Sequence, residues 1–180
     1  MNHDDHVNLL RNGVITDEPT TGGTWADIGS GAGAFTLALA DLLSPTGHIL
    51  SIDKNAGSLR EQESLMRVRF PDHHVTYRTA DYTQQLELPP LDGIVMANSL
   101  HFVNAGQQAE VILLLKSYLH PGGRLVLVEY NVDQGNFAVP HPLSYPTWER
   151  LATKSGFATT RLLAVRPSRF LTEIYSAVSY

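Results

Sequence analysis

The sequence predicts an α/β fold in which helices cover both faces of a doubly wound, mostly parallel seven-stranded sheet that ends in an antiparallel hairpin. Apolar runs of strand length alternate with helical segments along residues 24–129, which indicates parallel strands joined by helices. A glycine-rich turn follows the first strand and precedes a helix. The last two strands are separated by about five residues, too few for a parallel crossover, so they must pair antiparallel.

Turn-forming residues set the bounds of the predicted elements. The first helix ends at Ser44-Pro45-Thr46-Gly47, and the fourth strand begins after Pro89-Pro90. A long helix closes at His120-Pro121-Gly122-Gly123, just before the fifth strand. The predicted strands are residues 24–28, 48–53, 75–80, 91–97, 124–129, 160–165 and 171–178, and the predicted helices are 34–43, 56–70, 105–119 and 147–155.

Length and composition are those of one globular domain, with 180 residues of which 43% are hydrophobic and 17% charged. A net charge of −5 argues against a broad nucleic-acid-binding surface. The sequence has no cysteine, so disulfides and thiolate metal sites are excluded. Its polar, acidic start is unlike a secretory signal, and no apolar run approaches the roughly 20 residues that span a bilayer. We therefore expect a cytoplasmic protein with neither nucleic acid nor membrane as a partner.

Residues 1–23 form an N-terminal segment ahead of the single domain predicted for residues 24–180. Residues 3–11 are compatible with a short helix that has Val7 and Leu10 on one face, and the turn residues of 17–23 predict a loop. The segment is either a flap over the ligand pocket or a frayed end. No cluster of other ligating residues at fixed spacing accompanies His3 and His6, so we expect solvated histidines and no metal site.

The turn after the first predicted strand fits two cofactor-binding patterns. Strand, glycine turn and helix together bring backbone N–H groups close to a polar or anionic ligand. Gly29-x-Gly31-x-x-Ala34, with Asp53 lying 24 residues after Gly29, fits the dinucleotide-binding pattern. Begun two residues earlier, Asp27-x-Gly29-x-Gly31-x-Gly33 resembles the first motif of class I S-adenosylmethionine (SAM)-dependent methyltransferases. The terminal hairpin favours the second interpretation, because the dinucleotide-binding sheet is all parallel.

The resemblance to class I methyltransferases covers nearly the whole chain from Trp25 onward and implies a SAM site. In this family an acidic residue within the end of strand one supports the glycine loop and the methionine part of the cofactor, as Asp27 would. Asp53 matches the family's acid at the end of strand two, whose oxygens accept hydrogen bonds from the ribose hydroxyls. Asp81-Tyr82 matches the position beside the adenine. The resemblance thus implies a cofactor-binding set of Asp27, Gly29, Ser30, Gly31, Gly33, Asp53, Lys54, Asp81, Tyr82, Asn98 and Ser99.

Methyl transfer is expected beyond the fourth strand, where the loop Asn98 to Phe102, the glycine turn and Tyr130-Asn131 converge at the carboxyl ends of the strands. The reaction is an in-line displacement, and a general base is needed only for a poorly acidic hydroxyl or a protonated amine. His101 is the best-placed base, although it is equally compatible with a wall of the pocket. The predicted acceptor pocket comprises His101, Tyr130, Asn131, His141 and Tyr145, with a rigid connector as the alternative for residues 131–148.

The sequence therefore predicts a SAM-dependent methyltransferase that acts on a small-molecule acceptor as a monomer or homodimer. A nucleic-acid substrate is disfavoured because the loop after strand four lacks the Asn-Pro-Pro-aromatic pattern. A catechol-type metal site is disfavoured because strand four ends in Ala97-Asn98 without a paired acid. Two alternatives stay open: an NAD(P)-dependent oxidoreductase, disfavoured by Asp27 and the hairpin, and a non-catalytic SAM-binding protein of the same fold.

Overall fold

A computed structural model describes residues 1–15, 22–168 and 170–180, so most of the loop predicted at 17–23 lies outside the described residues. The strands are β1 Thr24–Ile28, β2 His48–Asp53, β3 His74–Thr79, β4 Leu91–Ala97, β5 Leu119–Tyr130, β6 Thr160–Pro167 and β7 Glu173–Ser179. The helices are α1 His3–Val14, α2 Ala34–Leu42, α3 Ala56–Arg69, α4 Gln108–Ser117 and α5 Tyr145–Lys154, with a 3-10 turn at Leu100–Phe102. Within these described residues, every helix is too short or too polar to span a bilayer.

All seven strands form one sheet in the order β3-β2-β1-β4-β5-β7-β6. Strands β1 to β5 pair in parallel, whereas β7 lies between β5 and β6 and is antiparallel to both. The predicted mostly parallel sheet with a terminal antiparallel hairpin is thereby confirmed. The chain runs outward from β1 in one direction through β2 and β3, and in the other through β4 and β5. The neighbours β1 and β4 therefore form the switch point at which open α/β sheets bind their ligands.

The two sides of the sheet carry separate hydrophobic layers, because alternate strand residues point to opposite faces. Trp25 packs into the layer under α1 and α2, whereas the next residue, Ala26, belongs to the layer under α4 and α5. Trp148 of α5 is completely buried in that second layer. Helices on both faces are thus confirmed.

The segment between α4 and β5 differs from its predicted course. The predicted helix 105–119 is shorter, Gln108–Ser117, and His120 to Gly123 belong to the start of β5. Leu119 already pairs with Leu91, and a bulge follows before Arg124 pairs with Gly93. The bulge accommodates the extra residues of the glycine-proline turn within the strand pair, so strand pairing takes precedence over helix propensity here.

The N-terminal helix α1 is fixed to the domain. Leu9, Leu10 and Val14 are fully buried, which excludes a frayed end for this helix. Asn2 and Asp5 form a reciprocal capping box, and the Asp5 carboxylate also accepts a hydrogen bond of 2.7 Å from Arg166 of β6. The helix therefore presents its side chains from a defined position.

Candidate functional site

A cavity of about 480 Å³ lies at the carboxyl ends of β1, β2 and β4, beside the switch point of the sheet. Its volume is in the range of small-molecule sites. Nine of the eleven predicted cofactor residues line it: Gly29, Ser30, Gly31, Asp53, Lys54, Asp81, Tyr82, Asn98 and Ser99. The other lining residues are His6, Ala32, Ala34, Phe35, Thr83, Ala97, Phe102 and Val103. The structure thus brings most of the predicted set into one cavity.

The glycine loop has different constraints at its two ends. Gly31 lies in the left-handed region at φ +54°, and a Cβ atom built there would have no protein atom within 4 Å. The space above Gly31 is therefore available to a ligand. Gly33, the N-cap of α2 at φ +88°, lies against the buried side chain of Gln62, so a Cβ atom there would collide with it. Gly33 serves the packing of the loop and does not line the cavity.

Buried polar side chains support the loop from below. Ser51 Oγ lies 2.8 Å from Ser30 Oγ and 3.0 Å from Gln62 Oε1. These contacts join the loop to β2 and α3. The position of Gln62 could not be predicted, because a single amide on a helix gives no signal of the loop it will meet.

Asp53 lies where the cofactor ribose is expected. Its Oδ2 accepts the Gly31 N–H at 2.8 Å, and its Oδ1 accepts the Asn55 N–H at 2.7 Å. Each carboxylate oxygen can accept a further hydrogen bond, so two neighbouring hydroxyls could still be bound. The remaining acceptor positions of Asp53 fit the two hydroxyl donors of a ribose diol.

Asp27 lies beneath the cavity rather than in its lining. The side chain is 1% exposed, and its Oδ2 accepts a hydrogen bond of 2.5 Å from Thr36 Oγ1 at the start of α2. Burial raises the pKa of Asp27 to about 7; the hydrogen bond from Thr36 opposes this shift, and the charge of Asp53 adds to it. Asp27 therefore connects β1 to α2, and its predicted contact with the cofactor is not supported by a place in the cavity lining.

Asp81 and Tyr82 form the side of the cavity next to β3. The Asp81 carboxylate accepts both the backbone N–H and the hydroxyl of Thr83, at 2.9 and 2.7 Å, which lowers the pKa of Asp81. The Tyr82 hydroxyl donates a hydrogen bond of 2.8 Å to the Ser99 carbonyl, and burial raises the pKa of Tyr82. An ionised acceptor at this position suits an exocyclic amine.

Asn98 and Ser99 form the opposite side, at the end of β4. Asn98 has a left-handed backbone at φ +51°, and its buried Oδ1 has no hydrogen-bond partner among the described residues. An unpaired buried acceptor beside a cavity is what a donor from a bound molecule would satisfy. Ser99 is held by the hydrogen bond from its Oγ to the Ile28 carbonyl, at 2.8 Å.

His101 does not line the cavity. The side chain is 3% exposed, and its Nδ1 lies 2.8 and 2.9 Å from the two carboxylate oxygens of Glu129. Glu129 also accepts the backbone N–H groups of His101 and Tyr130, at 3.2 and 2.8 Å. Because an ionised carboxylate only accepts hydrogen bonds, this contact places the proton on Nδ1 and leaves Nε2 as an acceptor. Phe102, the next residue, is the one that reaches the cavity.

The other predicted acceptor residues, Tyr130, Asn131, His141 and Tyr145, also lie outside the cavity lining. The Asn131 amide donates to Glu173 at 2.5 Å and accepts the Tyr145 N–H at 2.8 Å. His141 contacts the His101 carbonyl through its backbone N–H, at 3.0 Å. These contacts attach the segment after β5 both to β7 and to the 3-10 turn. Such attachment is expected of a connector.

His6 is a cavity residue that sequence reasoning missed. Its side chain is half-buried, and its ring packs against Phe35 with 4.8 Å between centroids. The interpretation as a solvated histidine is thus wrong for His6, whereas His3 lies 3.2 Å from Asp41 near the surface. The flap interpretation brought residues 1–23 over the ligand pocket, but no sequence signal singled out His6 as the residue that reaches it.

Residues 26–125, more than half of the chain, match a family model described as "Methyltransferase domain". This chain belongs to the class I SAM-dependent methyltransferases. Family membership removes the dinucleotide-dependent oxidoreductase as an alternative and confirms SAM as the cofactor.

The curated relatives of this methyltransferase are distant. Carboxy-S-adenosyl-L-methionine synthase of Psychrobacter sp. (strain PRwf-1) is 28% identical over 107 residues, 57% of this chain and 39% of the relative. The ubiquinone/menaquinone biosynthesis C-methyltransferase UbiE of Pseudomonas aeruginosa (strain LESB58) is 29% identical over 112 residues, 61% of this chain and 43% of the relative. The chain thus spans about two fifths of the length of these curated relatives.

The fold is shared with solved methyltransferase structures. Magnesium protoporphyrin IX methyltransferase from Synechocystis PCC 6803 with bound SAM superposes with a TM-score of 0.73 at 19% identity, covering 99% of this chain and 80% of that one. At this identity the comparison confirms the fold alone.

Gly31→Val should abolish binding of S-adenosylhomocysteine (SAH), because the branched side chain would fill the open space above the loop. Gly122→Val is a matched control, since Gly122 also has a left-handed backbone and open space around its Cβ position but lies at the start of β5. Both variants should lose about 1–2 kcal/mol of stability. Titration calorimetry would contradict the cavity assignment if Gly31→Val bound SAH as tightly as Gly122→Val.

Asp27 should make stability depend on pH. The folded-state pKa of about 7 exceeds the ordinary 3.8, so the folded protein keeps the proton longer than the unfolded chain. This stabilisation is complete below about pH 4, is lost as the pH rises to 7 and is constant above that. Relative to Asp27→Asn, the wild-type free energy of unfolding from urea titrations should fall by on the order of 4 kcal/mol across this range. A pH-independent difference would show that Asp27 is ionised throughout.

Proposed function

We propose that this methyltransferase transfers the methyl group of SAM to a small-molecule acceptor. The observation that carries the proposal is the cavity at the switch point, where Asp53, Asp81 and the open space above Gly31 lie together. In the proposed orientation, the adenine lies at Asp81 and the ribose at Asp53. The aminoacyl end then extends over the glycine loop towards Ala34 and Phe35.

A small acceptor is supported by charge and by analogy. The net charge of −5 gives no general attraction for nucleic acid. Magnesium protoporphyrin IX methyltransferase, which shares the fold, is named for a small-molecule substrate. A cytoplasmic location and a monomeric or dimeric state stay predictions.

The residues of the chain have mainly a positioning task. When bound, SAM supplies the methyl group, and its sulfur leaves with the electron pair of the C–S bond. Asp53 would accept hydrogen bonds from the ribose hydroxyls, and Asp81 would accept one from the adenine amine. Asn98 Oδ1 offers an acceptor in the same cavity, and Phe35 and Phe102 contribute apolar surface to its lining. Holding the reacting atoms in line lowers the barrier, because it converts the encounter of two molecules into a reaction within one complex.

We further propose that His101 takes the proton from a hydroxyl or amine acceptor. Glu129 supports this role because it fixes Nδ1 as the donor, which leaves Nε2 free to accept a proton. The carboxylate would then stabilise the imidazolium that forms. The His101 ring lies 4.3 Å, between centroids, from the ring of Phe102, which lines the cavity, so the acceptor would have to reach His101 from the Phe102 side.

Binding and transfer should be tested separately. Asp53→Asn should weaken SAH binding about tenfold or more, because hydrogen bonds to a charged group are worth about 1.5–3 kcal/mol each. Asp72→Asn, an exposed acid outside the cavity, is the matched control. Equal SAH affinity in the Asp53→Asn and Asp72→Asn variants would contradict the site.

Transfer should then be followed with methyl-labelled SAM against hydroxyl, amine, thiol and carbon acceptors.

His101→Gln should lower kcat by about a hundredfold with little change in SAH affinity. His141→Gln is the control, because His141 contacts this region through its backbone. If His101→Gln raised only the acceptor KM and left kcat unchanged, His101 would be a pocket wall.

A further inference from the structure

His6 is the one lining residue that α1 contributes to the cavity. It lies beside Phe35, at the N-terminal end of α2, and shares the lining with Gly31, Ala32 and Ala34. The ring is therefore on the glycine-loop side of the cavity, away from the residues that follow β3. In the cofactor orientation proposed above, this side receives the aminoacyl end.

The helix that carries His6 is held at several points. Before His6 in the sequence, Asp5 accepts a hydrogen bond from Arg166 and His3 pairs with Asp41. Directly after His6, Val7 is buried in the core. A ring fixed between such anchors and packed on Phe35 has few alternative positions. Its contacts with a bound molecule would therefore be specific.

The hydroxyl groups in the cavity lining already donate to protein acceptors, so N–H groups are the side-chain donors left for a carboxylate. Among the described lining residues, the side chains with N–H donors are His6, Lys54 and Asn98. Lys54 directly follows Asp53 at the ribose position, and Asn98 lies at the end of β4. His6 is the N–H donor that remains on the glycine-loop side.

The expected protonation state is compatible with a hydrogen-bond donor. Burial lowers the pKa of His6, so the imidazole is neutral near pH 7 and carries one N–H donor. A hydrogen bond from a neutral donor to a carboxylate is still charge-assisted, because the acceptor is ionised.

We propose that His6 donates a hydrogen bond to the α-carboxylate of the cofactor's aminoacyl end, and that α1 thereby makes the site specific for cofactors carrying this group. The proposal rests on the cofactor orientation given under the proposed function. It assigns a binding role to α1, which packs on α2 but contributes no glycine-loop residue.

The test compares three ligands by titration calorimetry. SAH carries both the α-amino group and the α-carboxylate, decarboxylated SAM lacks the carboxylate, and 5′-methylthioadenosine lacks the whole amino acid. His6→Phe removes the N–H donor but keeps a ring against Phe35, and His6→Gln keeps a donor. His3→Gln is the matched control on the same helix, because His3 pairs with Asp41 outside the cavity.

His6→Phe should weaken SAH binding about tenfold or more while leaving decarboxylated SAM and methylthioadenosine within twofold of wild type. His6→Gln should restore part of the SAH affinity, and His3→Gln should bind all three ligands like wild type. An equal loss for decarboxylated SAM would overturn the carboxylate contact. An equal loss for methylthioadenosine would show a general closure of the cavity and would also overturn it.

Asp53→Asn separates failure of this inference from failure of the site. If Asp53→Asn weakens both SAH and methylthioadenosine while His6→Phe changes neither, the cofactor site stands and the His6 contact is overturned. If Asp53→Asn changes neither ligand, the orientation itself is wrong and the His6 proposal falls with it. Thermal unfolding of each variant within a few degrees of wild type confirms that the comparison is between folded proteins.

Discussion

The hydrogen bonds between the glycine loop and the end of β2 are the constraint on which the site depends. The N–H groups of Gly29 and Ser30 both donate to the Ile52 carbonyl, at 2.8 and 3.1 Å, and that of Gly31 donates to Asp53. The loop can turn back in this way only because its glycines adopt left-handed backbone. One set of contacts therefore fixes both the loop and the carboxylate, so that the two ligand-binding features hold each other in place.

A second buried group, Asp27, connects this loop to the helix that follows it. Its carboxyl group is shielded from water, and the neighbouring charge of Asp53 further disfavours its ionised form. The hydrogen bond from Thr36 offsets part of the free-energy cost of ionising Asp27. A cationic ligand in the cavity would favour ionised Asp27, because opposite charges attract strongly in a poorly solvated site.

The sequence predicted the parts of the molecule whose position follows from topology. The bounds of β1, β2 and β4 agree with the predicted strands, because each is a short apolar run between strong turn signals. Once those strands are parallel neighbours, Asp53 and Asn98 must meet at the same edge of the sheet. His6 could not be predicted in this way, since its position depends on how α1 packs against α2, a long-range contact with no local pattern.

Side chains after β5 were harder to predict because protein groups compete for them. Asn131 has donors and acceptors suited to a ligand, yet both ends of its amide are occupied by Glu173 and Tyr145. Glu129 shows the same principle at the end of β5: its carboxylate gathers three N–H groups and so holds the 3-10 turn of residues 100–102. That 3-10 turn places Phe102 in the cavity lining. A residue at a strand end can thus shape the site through its neighbours, and only the tertiary structure distinguishes this role from direct contact.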